Sequence, residues 1–412
     1  MTNDPPGVPA RRAALRLLDA VLRRGLPIEA ALVNATKGIE RADDRGLAHA
    51  IAAEVLRRLP DLDAMIDTAT KRPLPDDAKA RFALRIALVQ VLVLGTPHHA
   101  AIATVLPLVD GGPRKLVHGV FGTLVRRGDL LPELPTLPAP VHLRWSHAWG
   151  SEVAEAASRA IAAPPPLDLS LRDDMGPHPD GLSLAPRHVR IAESTGVRDL
   201  PGFDEGAWWV QDVAATIPAR LIGPGRGRVL DLCAAPGGKT LQLAAAGWEV
   251  TALDVSESRL TRLSENLDRT GLTATVIVAD ALEWAPRDPF DAVLLDAPCS
   301  ATGIFRRHPD VLHRVTPRLI REMADLQMRL LVRAADWVRP GGTLVYATCS
   351  LERAEGEEQL ASFLDVRRDF PFKPSRRASC RRISLPILRG MCGHCRPCWK
   401  QKALSTASSW RG

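Results

Sequence analysis

Two cysteine-serine pairs follow apolar runs in the second half of the chain: FDAVLLDAPCSATG at 290 to 303 and GTLVYATCSLERAEGEE at 342 to 358. An apolar run rich in β-formers that stops at a turn reads as a buried strand. Cys299 and Cys349 are therefore expected just past the carboxyl ends of two strands, on the rim where open α/β sheets bind ligands. A lone cysteine there is usually core packing. Two of them, one preceded by Asp296-Ala-Pro and the other followed by a Glu-rich helix start, point to chemistry instead. The chemistry that needs two thiols is methylation of a pyrimidine carbon. Carbon 5 of cytosine is too weak a nucleophile to attack a methyl sulfonium, and a thiolate adding at carbon 6 activates it. A hydrogen bond or proton at ring nitrogen 3 favours the addition, a task for a carboxyl such as Asp296. After transfer a base must take the carbon 5 proton so that the first thiol can leave. The second thiol can be that base, and the residues alone leave open which cysteine does which.

A methyl sulfonium implies a cofactor, and VLDLCAAPGGKT at 229 to 240 is the loop to hold one. Gly238, Lys239 and Thr240 fit the end of a phosphate-binding loop, and FDAVLLD resembles a strand ending in a magnesium-binding Asp, so a nucleotide triphosphatase is one reading. Cys233 stands where that loop needs its first glycine, and Pro236 removes an amide from the cradle. The other reading is the first loop of a Rossmann-like sheet, which predicts an acid at the end of the second strand to bind ribose hydroxyls. Asp254 in VTALDVS fills that place, and Asp280 in VIVADALEW ends the third strand. A ribose without an essential phosphate suits both acids, and S-adenosyl-L-methionine is the candidate. Cys233 itself reads as packing beside the loop.

These residues need a scaffold. From 226 the runs RVLDL, EVTALD, TATVIVAD, FDAVLLD and GTLVYATCS alternate with helical stretches such as GKTLQLAAAG, SESRLTRLSENLDRTG and PRLIREMADLQMRLLVRAADWV. Strand and helix at this spacing imply an α/β fold with a mostly parallel, doubly wound sheet. Residues 8 to about 130 read as helices, with ARRAALRLLDAVLRR, RGLAHAIAAEVLRRLPDLDAMID, DDAKARFALRIALVQVLVLG and PRKLVHGVFGTLVRRG carrying apolar residues three and four apart. The third, expected to start at an Asp76 cap, is apolar nearly all round and should be central. His98 and His99 read as loop or helix-start residues. LLPELPTLPAP at 130 to 140 reads as a semi-rigid linker. The stretch on to about 222, with PLDLSLR and WWVQDVAATIPARLI, reads as a small α/β subdomain.

At 412 residues with 46% apolar content, two or three globular domains are expected. No apolar run reaches the roughly 20 residues a membrane span needs, and the N-terminus lacks the order of a signal peptide. Seven unevenly placed cysteines suit a reducing compartment better than a disulfide scaffold, so a cytoplasmic protein is expected. The net charge of +7 suggests nucleic acid, but ten Lys and Arg and no acid follow Asp369, so the basic balance belongs to the tail.

The motifs CAAPGGKT, ALDVSESRL, FDAVLLDAPCSATGIFRRHPDV and YATCSLERAEGEEQ resemble those of the RNA 5-methylcytosine methyltransferases, most closely the bacterial enzymes acting on 16S rRNA. Together they cover about 226 to 365. The resemblance implies S-adenosyl-L-methionine contacts at Cys233, Ala234, Ala235, Pro236, Gly237, Gly238, Lys239, Asp254, Asp280 and Asp296. It implies that Cys349 is the nucleophile and that Cys299 assists release, with Asp296 also catalytic and no metal. Residues 1–135 resemble the NusB-like RNA-binding domain that these enzymes carry, with His118 about where that domain has Asn. Residues 136–222 resemble their RNA-contacting subdomain and 223–371 their Rossmann-like methyltransferase domain. A monomer acting on RNA is expected. The second reading is an RNA-binding or assembly factor of the same fold that has lost activity.

Residues 372–412 depart from that family. CGHCRPC at 392 to 398 invites a zinc reading, but the spacing is short and no element carries it. Codons for STASSWRG can be chosen that read Asp-Gly-Phe-Phe-Val-Ala-Arg from the third base, an ending of the family's kind. The tail is therefore read as a frameshift near 372 to 374 that leaves a disordered basic segment and exposes the sheet edge beside GTLVYATCS. Genomic reads with an intact frame across those codons would reject it.

Overall fold

The computed structural model describes residues 5–162, 165–191, 196–373 and 402–405. They divide into two units: one runs to Pro165 and includes Thr302–Thr316, the other holds the rest.

The first unit is helical because its apolar residues repeat at the helical period. Its helices are α1 (Val8–Leu22), α2 (Ile28–Ala35), α3 (Ala42–Arg57), α4 (Leu59–Thr68), α5 (Lys79–Leu92), α6 (His98–Val105), α7 (Gly111–Arg127), α8 (Ala139–Trp149) and α9 (Ser151–Ile161). The stretch expected as one helix over 45 to 67 is two. Pro60 lacks an amide proton and its ring crowds the preceding turn, so the chain breaks at Arg58 (φ −110, ψ 14). α5 is the central helix, with every residue from Ala80 to Gln90 buried. Its two arginines are neutralised in place, Arg85 by Asp63 at 2.8 Å through both oxygens and Arg81 by Asp63 and Asp67. Asp76 does not cap α5; Ala78 precedes the helix, and the Asp76 carbonyl accepts from Arg85 instead. His98 and His99 open α6. The proline-rich stretch is only partly a linker, since Pro138 and Pro140 begin α8, where a missing amide proton costs nothing. With Trp145 and Ile161 buried, α8 and α9 extend this unit to Pro165, past the 135 expected from sequence.

The second unit begins with an antiparallel sheet in the order β2-β3-β1-β4, made of β1 (Leu167–Leu171), β2 (Leu182–Ala185), β3 (His188–Ile191) and β4 (Trp208–Val210). At its centre Asp168 is fully buried. Burial alone would raise its pKa, but two hydrogen bonds from Arg190 at 2.6 and 2.8 Å, with the His188 imidazole 3.5 Å away and a bond from the Val213 amide, hold it below the usual carboxylate range. After α10 (Ile217–Ile222) come β5 (Arg228–Leu232), α11 (Gly238–Ala245), β6 (Glu249–Asp254), α12 (Glu257–Thr270), β7 (Thr275–Val278) and β8 (Phe290–Asp296). A short helix, α13 (Val311–Arg314), lies in the segment belonging to the helical unit. There Phe305 packs on Trp145 with ring centroids 5.4 Å apart, Arg57 donates to the Arg306 carbonyl at 2.9 Å, and His313 Nε2 donates to the Leu56 carbonyl at 2.7 Å. The second unit resumes with α14 (Pro317–Asp336), β9 (Val338–Ala347), α15 (Glu357–Val366), β10 (Phe372–Lys373) and β11 (Lys402–Ser405).

The large sheet has the order β10-β11-β9-β8-β5-β6-β7, with β9, β8, β5, β6 and β7 parallel, as the alternation of strands and helices predicts. All five carboxyl ends therefore lie on one rim. The edge of β9, expected to be bare, carries β11 in antiparallel pairing. The CGHCRPC cluster and residues 374–401 and 406–412 lie outside the described residues, so the frameshift expected near 372 to 374 falls at the edge of what the structure describes.

Candidate active site

β5 is buried along its length and delivers the chain into the loop Cys233–Lys239. Cys233 takes a left-handed φ of 59°, an uncommon conformation for a side-chain-bearing residue and one that clusters at functional loops. Burial first, then the charges of Asp254, Asp296 and Asp231, push its thiol well up. It stays a thiol and packs against the core, as the sequence suggested. Ala234 and Ala235 are buried, Pro236 is exposed, and Gly237 sits at φ 107° at the start of α11. A Cβ at Gly237 would run into the side chain of Leu263, so only glycine keeps this turn.

The loop is fastened to the next strand by Asp254. The Asp254 carboxylate, 3% exposed, accepts from the Ala235 amide at 3.1 Å and the Ser256 amide at 2.9 Å. Arg259 also approaches Oδ2 at 3.6 Å, and Oδ1 takes one protein donor; a carboxylate held this way by backbone amides fits the vicinal hydroxyls of a ribose. Asp280 follows β7 and accepts from the Leu282 amide at 2.8 Å; the strand ends meet where the Ala279 amide donates to the Asp254 carbonyl at 3.1 Å. The residues present therefore fit S-adenosyl-L-methionine. Behind the loop Asp231 is completely buried. Burial, opposed by a 2.6 Å hydrogen bond from Thr240 and reinforced by Asp296, pushes its pKa up to about 7, and among the described residues its Oδ1 has no partner.

Lys239 leads from this loop to the thiols. Its ammonium donates to Asp296 Oδ2 at 2.6 Å. Burial would lower its pKa, but the charge and hydrogen bond of Asp296, with Asp231 and Cys349, raise it, so it stays protonated. Asp296 ends β8 opposite Ala347 of β9, which places the two cysteine loops side by side. Cys299 Sγ and Cys349 Sγ are 3.3 Å apart, Cys299 partly covered and Cys349 exposed. The pair is polarised. The hydrogen bond from Cys299 lowers the Cys349 pKa, helped by Lys239 against burial and Asp296. That same bond, burial, the Cys349 charge and Glu355 raise Cys299 well above its ordinary value. The two thiols are thus pushed in opposite directions, Cys349 toward ionisation and Cys299 toward keeping its proton.

Three residues that sequence reasoning missed hold this geometry. Glu355, completely buried, accepts from the Ser300 amide at 2.8 Å, from Ser350 Oγ at 3.1 Å and from Gln327 Nε2 at 3.0 Å. Gln327 also donates to the Pro298 carbonyl, and Tyr346 donates to both Gln327 and the Glu355 carbonyl. Among the described residues no group of three His, Cys, Asp or Glu gathers as metal ligands.

A parallel sheet with a glycine turn after its first strand, acids at successive strand ends and paired thiols beyond defines an S-adenosyl-L-methionine-dependent methyltransferase. Comparison with known proteins gives the family. Residues 223–385 match the model of the 16S rRNA methyltransferases RsmB/F and residues 8–121 that of the NusB family. The ribosomal RNA small subunit methyltransferase B of Xylella fastidiosa is 38% identical, across 87% of this chain and 89% of that protein. The solved structure of PH0851 is 25% identical with a TM-score of 0.69, covering 90% of this chain and 92% of its own. A methyltransferase homolog protein from Pyrococcus horikoshii is 27% identical with a TM-score of 0.50, covering 62% and 84%. The chain belongs to the RsmB/F family of 16S rRNA methyltransferases, and it is an S-adenosyl-L-methionine-dependent RNA methyltransferase.

Proposed function

We propose that the enzyme methylates carbon 5 of a cytosine in small-subunit rRNA through a covalent bond between Cys349 and carbon 6. The polarised thiol pair, 3.3 Å apart beside the Lys239 ammonium, carries this reading. The relatives are named for small-subunit rRNA, and the NusB match supports an RNA substrate. Bound S-adenosyl-L-methionine supplies a methyl group on a positively charged sulfur. Asp254 would hold its ribose hydroxyls, Asp280 would offer polar contacts beside it, and Gly237 and Gly238 let the backbone approach.

The Cys349 thiolate adds to carbon 6. As a carboxylate Asp296 can accept but not donate, and the proton it passes to ring nitrogen 3 stands on Lys239, 2.6 Å away. Once Cys349 is a thioether its charge is gone, and with it the main reason Cys299 held its proton. With the methyl group on carbon 5, Cys299 gives its proton to solvent and takes the carbon 5 proton, ring nitrogen 3 returns its proton through Asp296 to Lys239, and Cys349 leaves as a thiolate with the carbon 5–carbon 6 double bond restored. With a ribosomal RNA as substrate we read the enzyme as acting in the cytoplasm, and as a monomer.

Incubation with unmodified small-subunit rRNA and tritium-labelled S-adenosyl-L-methionine tests the reading. Label on cytosine carbon 5 and a Cys299→Ala variant trapped covalently on RNA are expected. RNA binding without label would favour the inactive assembly factor, and trapping by Cys349→Ala instead would exchange the roles of the thiols.

A further inference from the structure

Resting on the assignment of Cys349 and Cys299 as the reacting thiols, we propose that Glu355 is a positioning residue: its carboxylate spans the two cysteine loops and fixes the spacing of the thiols. One oxygen takes the amide of Ser300, next to Cys299; the other takes the hydroxyl of Ser350, next to Cys349. The Ser300 and Ser350 hydroxyls also pair at 3.1 Å. Gln327 extends the clamp to the Pro298 carbonyl, and Tyr346 holds Gln327 from β9. Ser300, Gln327 and Glu355 are each at most 1% exposed. Among the described residues no cation is a hydrogen-bond partner of the Glu355 carboxylate; its donors come from both loops and from α14. Breaking the clamp would let the loops part while leaving every reacting group present.

Reach, rather than charge, is what this arrangement demands. Glu355→Gln keeps the length: its oxygen can accept from Ser300 and Gln327 while its amide donates to Ser350. Glu355→Asp keeps the charge and is one methylene short of spanning both loops. The test measures steady-state methyl transfer by the full-length chain together with bridging of the two thiols by phenylarsine oxide, mapped to the Cys299 and Cys349 peptides. Glu355→Gln is expected to stay within about tenfold of the parent in kcat, the range of one weakened hydrogen bond. Glu355→Asp is expected to lose on the order of 100-fold in kcat with KM little changed, as displacement of a reacting group by about 1 Å does. Its bridging by the arsenical should fall in step. Thiol bridging needs no RNA, so a failed functional reading would leave the bridging result standing. The reverse order, with Asp more active than Gln, or unchanged bridging in Glu355→Asp, would overturn the proposal.

Discussion

Cys299 and Cys349 lie Sγ to Sγ at 3.3 Å, and the serine after each pairs with the other at 3.1 Å. Asp296 pairs with Ala347 in the sheet, so Cys299 stands one residue farther past its strand end than Cys349 does. Clamping on Ser300 and Ser350 nevertheless brings the two dipeptides level. Two thiols in hydrogen-bond contact are thus set at the ends of adjacent strands.

The polarity of the pair predicts a pH profile. Removing Lys239 removes a positive charge that lowers the Cys349 pKa, so Lys239→Met should move the midpoint for Cys349 alkylation to higher pH. The rate at neutral pH should fall accordingly. Iodoacetamide labelling across pH 6 to 10, read peptide by peptide, checks this; an unmoved midpoint would remove Lys239 from the account. Cys349 should also be labelled ahead of Cys299 throughout.

Asp231 should shape stability above pH 4. Its folded pKa of about 7 exceeds an unfolded value near 3.9, so the folded state holds a proton that the unfolded state has lost. Its contribution is intact below about pH 4, declines as pH rises to about 7 and is level beyond, with a slope of at most about 1.4 kcal/mol per pH unit. Asp231→Asn can still accept from Thr240 and removes the titration. Urea unfolding at pH 5 and 8 should show the variant gaining on the parent at the higher pH.

His313 should act in the opposite sense. Burial first, outweighing its bond to the Leu56 carbonyl, lowers its pKa to about 4. As pH falls from 6.5 to 4 the unfolded state takes up a proton that the folded state refuses, and stability is lost by under about 1.4 kcal/mol per pH unit. His313→Gln, able to donate to the same carbonyl, should flatten the acid limb of the melting temperature curve.

Gly237→Ala places a methyl group against Leu263 at φ 107°. A cost of about 2 kcal/mol or more is expected from the left-handed backbone and the overpacking together. Cofactor affinity should fall with it, because the strained turn lies between Asp254 and Lys239. Calorimetric titration with S-adenosylhomocysteine and a melting curve measure both; normal affinity in the variant would show the loop to be more forgiving than its geometry.

Much of this site is written locally. β5, β6 and β8 are flanked by strands on both sides, and such strands read as nearly continuous apolar runs. Cys299 and Cys349 betray themselves by recurring after two of these runs. Glu355 does not, because ERAEGEE looks like a solvated polar stretch; only the packing of α14 and β9 brings Gln327, 28 residues away, and Tyr346 to it. The pairing of Lys239 with Asp296 spans 57 residues and is likewise a product of the sheet. β2 and β3 are four residues each, too short for alternation to register. α8 and α9 were hidden by the prolines before them.

The helical unit is completed by residues 302–316, some 140 residues after its main body ends. At about 5–20 residues per second, that delay is roughly 7–30 s. Until then a nascent chain carries an N-terminal domain without the Phe305 ring on Trp145, the Arg306 carbonyl on Arg57 and the His313 donor at the Leu56 carbonyl. The last step in folding the first half of this protein therefore waits for translation to pass the codons of Cys299, so a chain truncated before them can complete neither unit.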